Sequence, residues 1–213
     1  MNFSKPSLPY AEQIDLLKSR GLQVDDEVRA EHYLRHLNYY RLSGYWLPFE
    51  QDHAAHRFKQ GASFEDVLNL YVFDRELRLL LLDAIERIEI SVRATWAHVL
   101  SSKYGAHAYL DPAHAHKNKW HQANLSKLTS EIERSDELFI THYKKTYSKP
   151  ALPPTWSVTE VMSLGMLSHW ITNLKPSDRA DVALNYGINE QVLKSFIRHL
   201  TYIRNLCAHH SRV

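Results

Sequence analysis

The chain has 213 residues, 44% of them hydrophobic, which suits one compact domain, or a domain with a small appendage, and argues against a disordered chain. Its single cysteine, Cys207, excludes an internal disulfide framework, and because no secretory signal or membrane-spanning apolar run is recognised, we expect a cytoplasmic protein. A formal net charge of +2 neither indicates nor excludes binding to nucleic acid.

Helical patterns dominate the chain, and no alternating strand pattern or internal repeat is recognised, so the predicted fold class is all-α. Ser7 and Pro9 begin a first predicted helix that runs to Gly21, a residue suited to the position after a last helical turn. Asp25 is placed to cap a second helix with the apolar positions Val28, Tyr33, Leu34 and Leu37.

The stretch 38–49 is rich in aromatic residues and is interrupted by Gly44 and Pro48, which predicts a packed turn between elements. Its aromatic rings either belong to the core, as aromatic clusters often do, or stack on RNA bases with Arg41 at a phosphate. Both interpretations stay open at the level of the sequence.

Ser63 and Asp66 have the spacing of a capping box and begin a long apolar pattern towards Leu100, which predicts a central helix. Glu89 and Arg93 are four residues apart on its polar face and therefore predict a helical ion pair.

Glu86 lies one turn before Glu89, and a pair of carboxylates also suits acid/base chemistry or a metal. The neighbouring arginines would neutralise a metal site, however. In a further alternative, one carboxylate orients Arg204 or His209 from across the core.

The helical periodicity of apolar residues is absent between about Tyr104 and Lys119, where several histidines cluster around Pro112. Their spacing matches no zinc-binding pattern, and we expect no metal there. Further helices are predicted at about 125–132 and 137–147.

After these helices, Lys144 and Lys145 precede a proline-rich loop that either contacts a phosphate backbone or is a solvated connector. One helix is predicted from Pro154 to about Trp170, and Gly165 within it suggests close packing of another backbone. A short helix at about 177–186 and a terminal helix from about Asn189 complete the prediction.

The last ten residues place an arginine, an amide and a histidine on what is predicted to be the terminal helix. At about 100° per residue, Asn205 and His209 share a face, whereas Arg204 starts about 140° from His209 and must reach round. His210 would point about 100° away from His209, so we assign it a secondary or structural role.

The side chains of Arg204, Asn205 and His209 are suited to the cleavage of a phosphodiester. Histidine moves protons near neutral pH, and a guanidinium holds a phosphate through parallel hydrogen bonds. RNA supplies its own nucleophile, the 2′-hydroxyl group. With His209 as acid or base and Arg204 as phosphate ligand, the reaction therefore needs no metal or cofactor. The alternative is an ordinary polar helix end, because cations are favourable near a C-terminus.

Five segments together resemble the Abi family of bacterial abortive-infection proteins, and they cover nearly the whole chain in order: 17–22, 39–46, 86–93, 154–165 and 204–210. The family resembles the HEPN superfamily, helical domains whose R-x(4-6)-H motif serves metal-independent RNA cleavage in toxins and in type VI CRISPR effectors. The resemblance implies a HEPN-like helical bundle with an N-terminal helical extension. We accordingly expect a helical segment 1–60 packed on the core and a HEPN-like domain 61–213.

Carried to this chain, the resemblance implies that Arg204 and His209 are catalytic and that Asn205 is the polar residue after the arginine. It also implies a homodimer with a composite site. Family members generally continue further, so a chain ending at Val213 is expected to be a short or truncated member. The residues expected to bind RNA or support the site are His210, Arg41, Glu89, Arg93, Lys144 and Lys145.

Two functions remain open from the sequence. The first is a phage-defence ribonuclease that cleaves cellular or viral RNA. The second is a non-catalytic HEPN-like module that binds RNA or a protein, such as an antitoxin or a structured noncoding RNA. The motif favours the first, and no membrane partner is expected.

Overall fold

The computed structural model describes residues 6–213, and within this range the secondary structure is almost entirely helical. The all-α prediction is confirmed. The described elements are α1 Tyr10–Ser19, α2 Glu27–Leu37, α3 Tyr39–Trp46, β1 Glu50–Asp52, β2 Arg57–Phe58, α4 Phe64–Tyr104, α5 Asn118–Arg134, α6 Leu138–Thr146, α7 Thr155–Val158, α8 Leu164–Thr172, α9 Pro176–Leu184 and α10 Glu190–Ala208.

The described residues group into two compact units. The first contains the residues up to Leu80 together with His210–Val213, and the second contains Leu81–His209. The expected division at residues 60 and 61 stays a prediction, and the first five residues of that N-terminal segment lie outside the described range. Each unit has its own core.

The core of the first unit is formed by α1, α2, α3 and the start of α4. Asp26, and not Asp25 as predicted, caps α2, because its side chain accepts the backbone N–H of Arg29 at 2.8 Å. The helix α1 ends as predicted, with Gly21 at φ +94° just beyond it. The buried apolar residues of this core include Ile14, Leu17, Leu22, Ala30, Leu34, Leu42, Tyr45, Trp46, Phe58 and Leu68.

The predicted turn at 38–49 is wrong over most of its length, since Tyr39–Trp46 is helical. The helix begins because the Asn38 side chain accepts the backbone N–H of Tyr40 at 2.8 Å, with Asn38 itself in a left-handed conformation at φ +73°. Tyr45 and Trp46 are buried, which confirms the core interpretation for these rings, whereas Tyr40 is exposed.

A two-stranded antiparallel hairpin, β1 and β2, follows α3, although the sequence showed no strand pattern. The strands have three and two residues, too few for an alternating pattern to be recognised. Each carboxylate oxygen of the buried Glu50 contacts the Nδ1 atom of a histidine, at 2.7 Å from His53 and 3.4 Å from His56.

The predicted capping box at the start of α4 is confirmed. The backbone N–H of Ser63 donates to the Asp66 carboxylate at 2.9 Å, and the backbone N–H of Asp66 donates to the Ser63 hydroxyl at 3.1 Å. The helix continues for 41 residues to Tyr104, four residues beyond the predicted Leu100.

The core of the second unit is formed by the later part of α4 with α5, α8, α9 and α10. The helix α10 packs against α8 and α9, and α5 packs against α8. The helix α5 begins at Asn118, seven residues before the predicted start, and buries His121 on its inner face. The largest fully buried side chains of this unit include Trp96, Leu100, Tyr109, Leu128, Ile132, Ile140, Met162 and Leu164.

The single helix predicted from Pro154 to Trp170 is wrong, because the chain breaks into α7, one 3₁₀ turn and α8. A new cap forms at Ser163, whose hydroxyl accepts the backbone N–H of Met166 at 3.2 Å. Close packing at Gly165 comes from a side chain and not from a backbone, since an added Cβ would lie 3.4 Å from the Thr201 methyl carbon. Within residues 6–213, no helix combines the length and apolarity needed to cross a bilayer.

Candidate functional site

The motif residues occupy the C-terminal end of α10. The Asn189 side chain caps this helix by accepting the backbone N–H groups of Gln191 and Val192, each at 2.9 Å. The inner face carries Leu193 and Ile197, both buried. The terminal helix predicted from about Asn189 is therefore confirmed, although it ends at Ala208 and not at the end of the chain.

An ion pair fixes the first turn of α10. The Arg179 guanidinium, which is 4% exposed, binds the carboxylate of Glu190 and also donates to the Thr172 carbonyl at 3.0 Å. The hydrogen bond from Arg179 lowers the pKa of Glu190 below its ordinary value. The N-terminal end of α10 is thus defined by the Asn189 cap and by this ion pair.

The end of α10 is set by His209 and His210. His209 caps the helix, and its N–H donates to the Asn205 carbonyl at 3.0 Å. His210 then adopts a left-handed conformation at φ +56°, which stops the helix in the position that glycine often fills. Within residues 6–213 neither imidazole has a hydrogen-bonding partner, and both residues are exposed.

Arg204 and Asn205 lie side by side, one turn before His209. The Arg204 guanidinium donates to the Asn205 side-chain oxygen at 3.5 Å, a long hydrogen bond. Helical geometry places Arg204 among the inner positions of α10, and it is half-buried, whereas Asn205 is exposed. The three residues lie together at the C-terminal end of α10, as predicted, and the convergence of their side chains on one phosphate stays a prediction.

Two exposed residues that the sequence reasoning missed share a face with the motif. Arg198 and Tyr202 precede Asn205 by seven and three residues, so they lie within about 60° of it around the helix. Both are exposed, Tyr202 by 60%. We call Arg198, Tyr202, Asn205 and His209 the motif face; their spacing of four, three and four residues is the signal that would have found them.

Two apolar residues on another face of α10 are also exposed, about 80° and 120° around the helix from Tyr202. Val192 is 48% exposed and Phe196 is 44% exposed, although an amphipathic helix usually buries residues of this type. His199 separates them from Tyr202. The outer side of α10 therefore combines apolar, aromatic and basic groups.

Most of the other predicted supporting residues have structural partners. Arg93 binds Glu89, as predicted, and its guanidinium also donates to the backbone carbonyls of Thr159 at 2.7 Å and Met162 at 2.5 Å. Both side chains of the ion pair are 15% exposed. This geometry joins α4 to the segment between α7 and α8.

The two lysines near the end of α6 differ from each other. Lys144 donates to the Ile132 carbonyl at 2.6 Å, at the C-terminal end of α5, whereas Lys145 is exposed and has no partner within residues 6–213. Arg41, in the first unit, donates to the His210 carbonyl at 2.8 Å.

Metal-ligating side chains do not converge near the motif. In the part of the chain that the structure describes, no group of three or more His, Cys, Asp or Glu side chains is arranged to hold a metal ion. The histidines near Pro112 have other surroundings: the His114 ring stacks on Tyr104 with centroids 3.7 Å apart, and His121 is buried. Burial lowers the pKa of His121 below its ordinary value.

No curated protein and no solved structure matches the chain significantly. The model of one protein family, described as Abi-like protein, matches residues 32–213 and so covers most of the chain, including all of α10 and the motif. The chain belongs to the family of Abi-like proteins.

Proposed function

We propose that this protein is an abortive-infection effector that cleaves RNA without a metal ion. The observation that carries the proposal is the arrangement at the end of α10, where Arg204 and Asn205 lie one turn before the exposed imidazole of His209. Family membership supports a role in abortive infection, a form of phage defence.

The reaction is a transesterification within the RNA. The 2′-oxygen loses its proton and bonds to phosphorus, while the bond from phosphorus to the 5′-oxygen breaks and that oxygen gains a proton. His209 moves one of these protons, and Arg204 neutralises the charge that builds up on the phosphate oxygens. The products end in a 2′,3′-cyclic phosphate and a 5′-hydroxyl.

One imidazole cannot hold and lack a proton in the same step, so an acid and a base acting together require a second group. We propose that a second copy of the chain supplies it in a composite site. The exposed Val192 and Phe196 support this part of the proposal, because they place an apolar surface on the same helix as the motif face.

Arg198 and Tyr202 give the motif face the means to hold a single strand. A guanidinium suits the phosphate backbone, and a tyrosine ring provides a stacking surface that accepts any base. In this proposal the two residues bind RNA, and an antitoxin protein or noncoding RNA restrains the effector until infection.

The test is cleavage of mixed labelled RNAs by purified protein in excess EDTA, with analysis of the product ends. Wild type is compared with Arg204→Ala, His209→Ala and the matched control His199→Ala, another exposed histidine of α10. We expect cyclic-phosphate ends from wild type and the control, and a loss of at least about 100-fold in the two motif variants.

Equal rates in all four proteins would contradict the assignment of the site. RNA that stays intact with wild type, but is retained by it in a filter-binding assay, would replace the proposal with a non-catalytic binding module. Size-exclusion chromatography with light scattering gives the oligomeric state, and a monomer at working concentrations would refute the composite site.

A further inference from the structure

The four residues after the motif, His210–Val213, are bound to other residues of the first unit, and we call them the tail. Most of these contacts engage the tail's backbone. The Arg41 guanidinium donates to the His210 carbonyl at 2.8 Å, and the N–H of Val213 donates to the Asp74 carboxylate at 3.0 Å. Arg212 adds a bond from its own side chain to the Gly44 carbonyl.

A buried ion pair lies at the centre of these contacts. Asp74 and Arg78, 4% and 5% exposed, are one turn apart on α4 and bind each other. The Tyr45 hydroxyl donates to the same carboxylate at 2.7 Å, and Arg78 donates to the Ser211 carbonyl at 3.3 Å. A buried ion pair needs further hydrogen bonds to offset its desolvation, and the tail's backbone supplies two of them.

The tail is joined directly to the motif. His209 precedes His210 by one peptide bond, and His210 is held in the left-handed conformation that ends α10. Because few residues adopt this conformation readily, an anchor on the His210 carbonyl opposes both unwinding of the last turn and rotation of the preceding residue.

We infer that Arg41, Asp74 and Arg78 are positioning residues for His209, acting through the tail. The inference rests on the proposed function for its catalytic consequence, and on the contacts above for the anchoring itself. It gives Arg41 a role different from the phosphate contact expected from the sequence, because its guanidinium faces a protein carbonyl.

Two variants weaken the anchor without replacing either residue of the buried pair. Arg41→Gln removes the donor to His210, and Val213→Pro removes the N–H that binds Asp74. The matched control is Arg35→Gln, an exposed arginine of the same unit whose ion pair with Glu31 lies within α2. Arg41→Lys retains one donor and serves as the rescue variant.

The first readout needs no RNA. Amide hydrogen exchange of His209 is measured residue by residue by NMR, and its N–H is bonded to the Asn205 carbonyl in the anchored state. We expect exchange about fivefold faster in both anchor variants, a smaller increase in Arg41→Lys, and no change in Arg35→Gln. Unchanged exchange in both anchor variants would overturn the inference.

The second readout is the kinetics of RNA cleavage. Positioning predicts that kcat falls about tenfold in Arg41→Gln while KM stays constant, because the RNA still binds. A raised KM with a shallower salt dependence would identify Arg41 as a phosphate contact and refute the positioning role. If wild type does not cleave RNA, the proposed function fails, and the exchange data still decide whether the tail restrains His209.

Discussion

Arg93 offers the sharpest test of how the second unit is held together. Its guanidinium donates to the carbonyls of Thr159 at 2.7 Å, Glu160 at 3.2 Å and Met162 at 2.5 Å, besides its ion pair with Glu89. These carbonyls lie in and just after the 3₁₀ turn between α7 and α8, where the Thr159 carbonyl also accepts the Met162 N–H at 3.2 Å. Replacing Arg93 by alanine removes all four contacts.

The stability lost in Arg93→Ala follows from the number and the burial of these hydrogen bonds. A hydrogen bond from a charged donor contributes about 1.5–3 kcal/mol, but neighbouring bonds are not additive, and the side chain keeps 15% of its exposure. We therefore expect Arg93→Ala to lower the free energy of unfolding by about 4 kcal/mol. For a chain of this length, that loss corresponds to a drop in Tm of about 10 °C.

Urea unfolding followed by circular dichroism measures this change, and Arg87→Ala is the matched control. Arg87 lies on the same helix and also pairs with an acid four residues earlier, Asp83, but its side chain is 78% exposed. We expect the control to lose less than about 0.5 kcal/mol. A loss below about 1 kcal/mol in Arg93→Ala, together with weaker RNA binding, would refute the structural role and favour an RNA contact.

Three further predictions concern single residues. Asn189→Ala removes the cap of α10 and should destabilise the protein by about 1 kcal/mol in urea unfolding; an unchanged midpoint would contradict the capping role. Gly21→Ala should lower the free energy of unfolding by about 1 kcal/mol in the same measurement, because φ is +94° at this position. Space is not the reason, since the atom nearest to an added Cβ, the Phe58 carbonyl oxygen, is 3.8 Å away. An unchanged free energy of unfolding would show that the turn relaxes. Burial lowers the pKa of His121 below 6.5, so the unfolded chain takes up the proton first and the free energy of unfolding should fall as the pH drops from 7 to 5. His121→Gln should flatten that fall, and equal slopes in the two proteins would exclude His121 as its source.

Features fixed by neighbours in the sequence were predicted best. The capping box at Ser63 and the glycine after α1 each depend on residues within a few positions, and both were found. The helix α3 was missed because its start depends on Asn38 in a left-handed conformation, and Gly44 within it suggested a turn. Local composition could not separate those two outcomes.

Features fixed by distant residues were not predictable from local patterns. The break between α7 and α8 coincides with carbonyls bound by Arg93, which is 66 to 69 residues away in the sequence. At the candidate site, the pattern predicted that Arg204, Asn205 and His209 share the end of one helix, and their convergence on one phosphate stays a prediction. The contact from Arg41 to His210 joins residues 169 positions apart, and no periodicity reveals it.

The way the tail is bound also determines which sequence changes it tolerates. Ser211 and Val213 are held through a carbonyl and an N–H, groups that almost every amino acid carries in the same place. Replacing either side chain should therefore be nearly neutral, except by proline at 213. Inserting or deleting one residue would instead move the tail's backbone donors and acceptors away from their partners. We therefore expect relatives of this chain to differ in the amino acids of the tail and to keep the number of residues between it and His209.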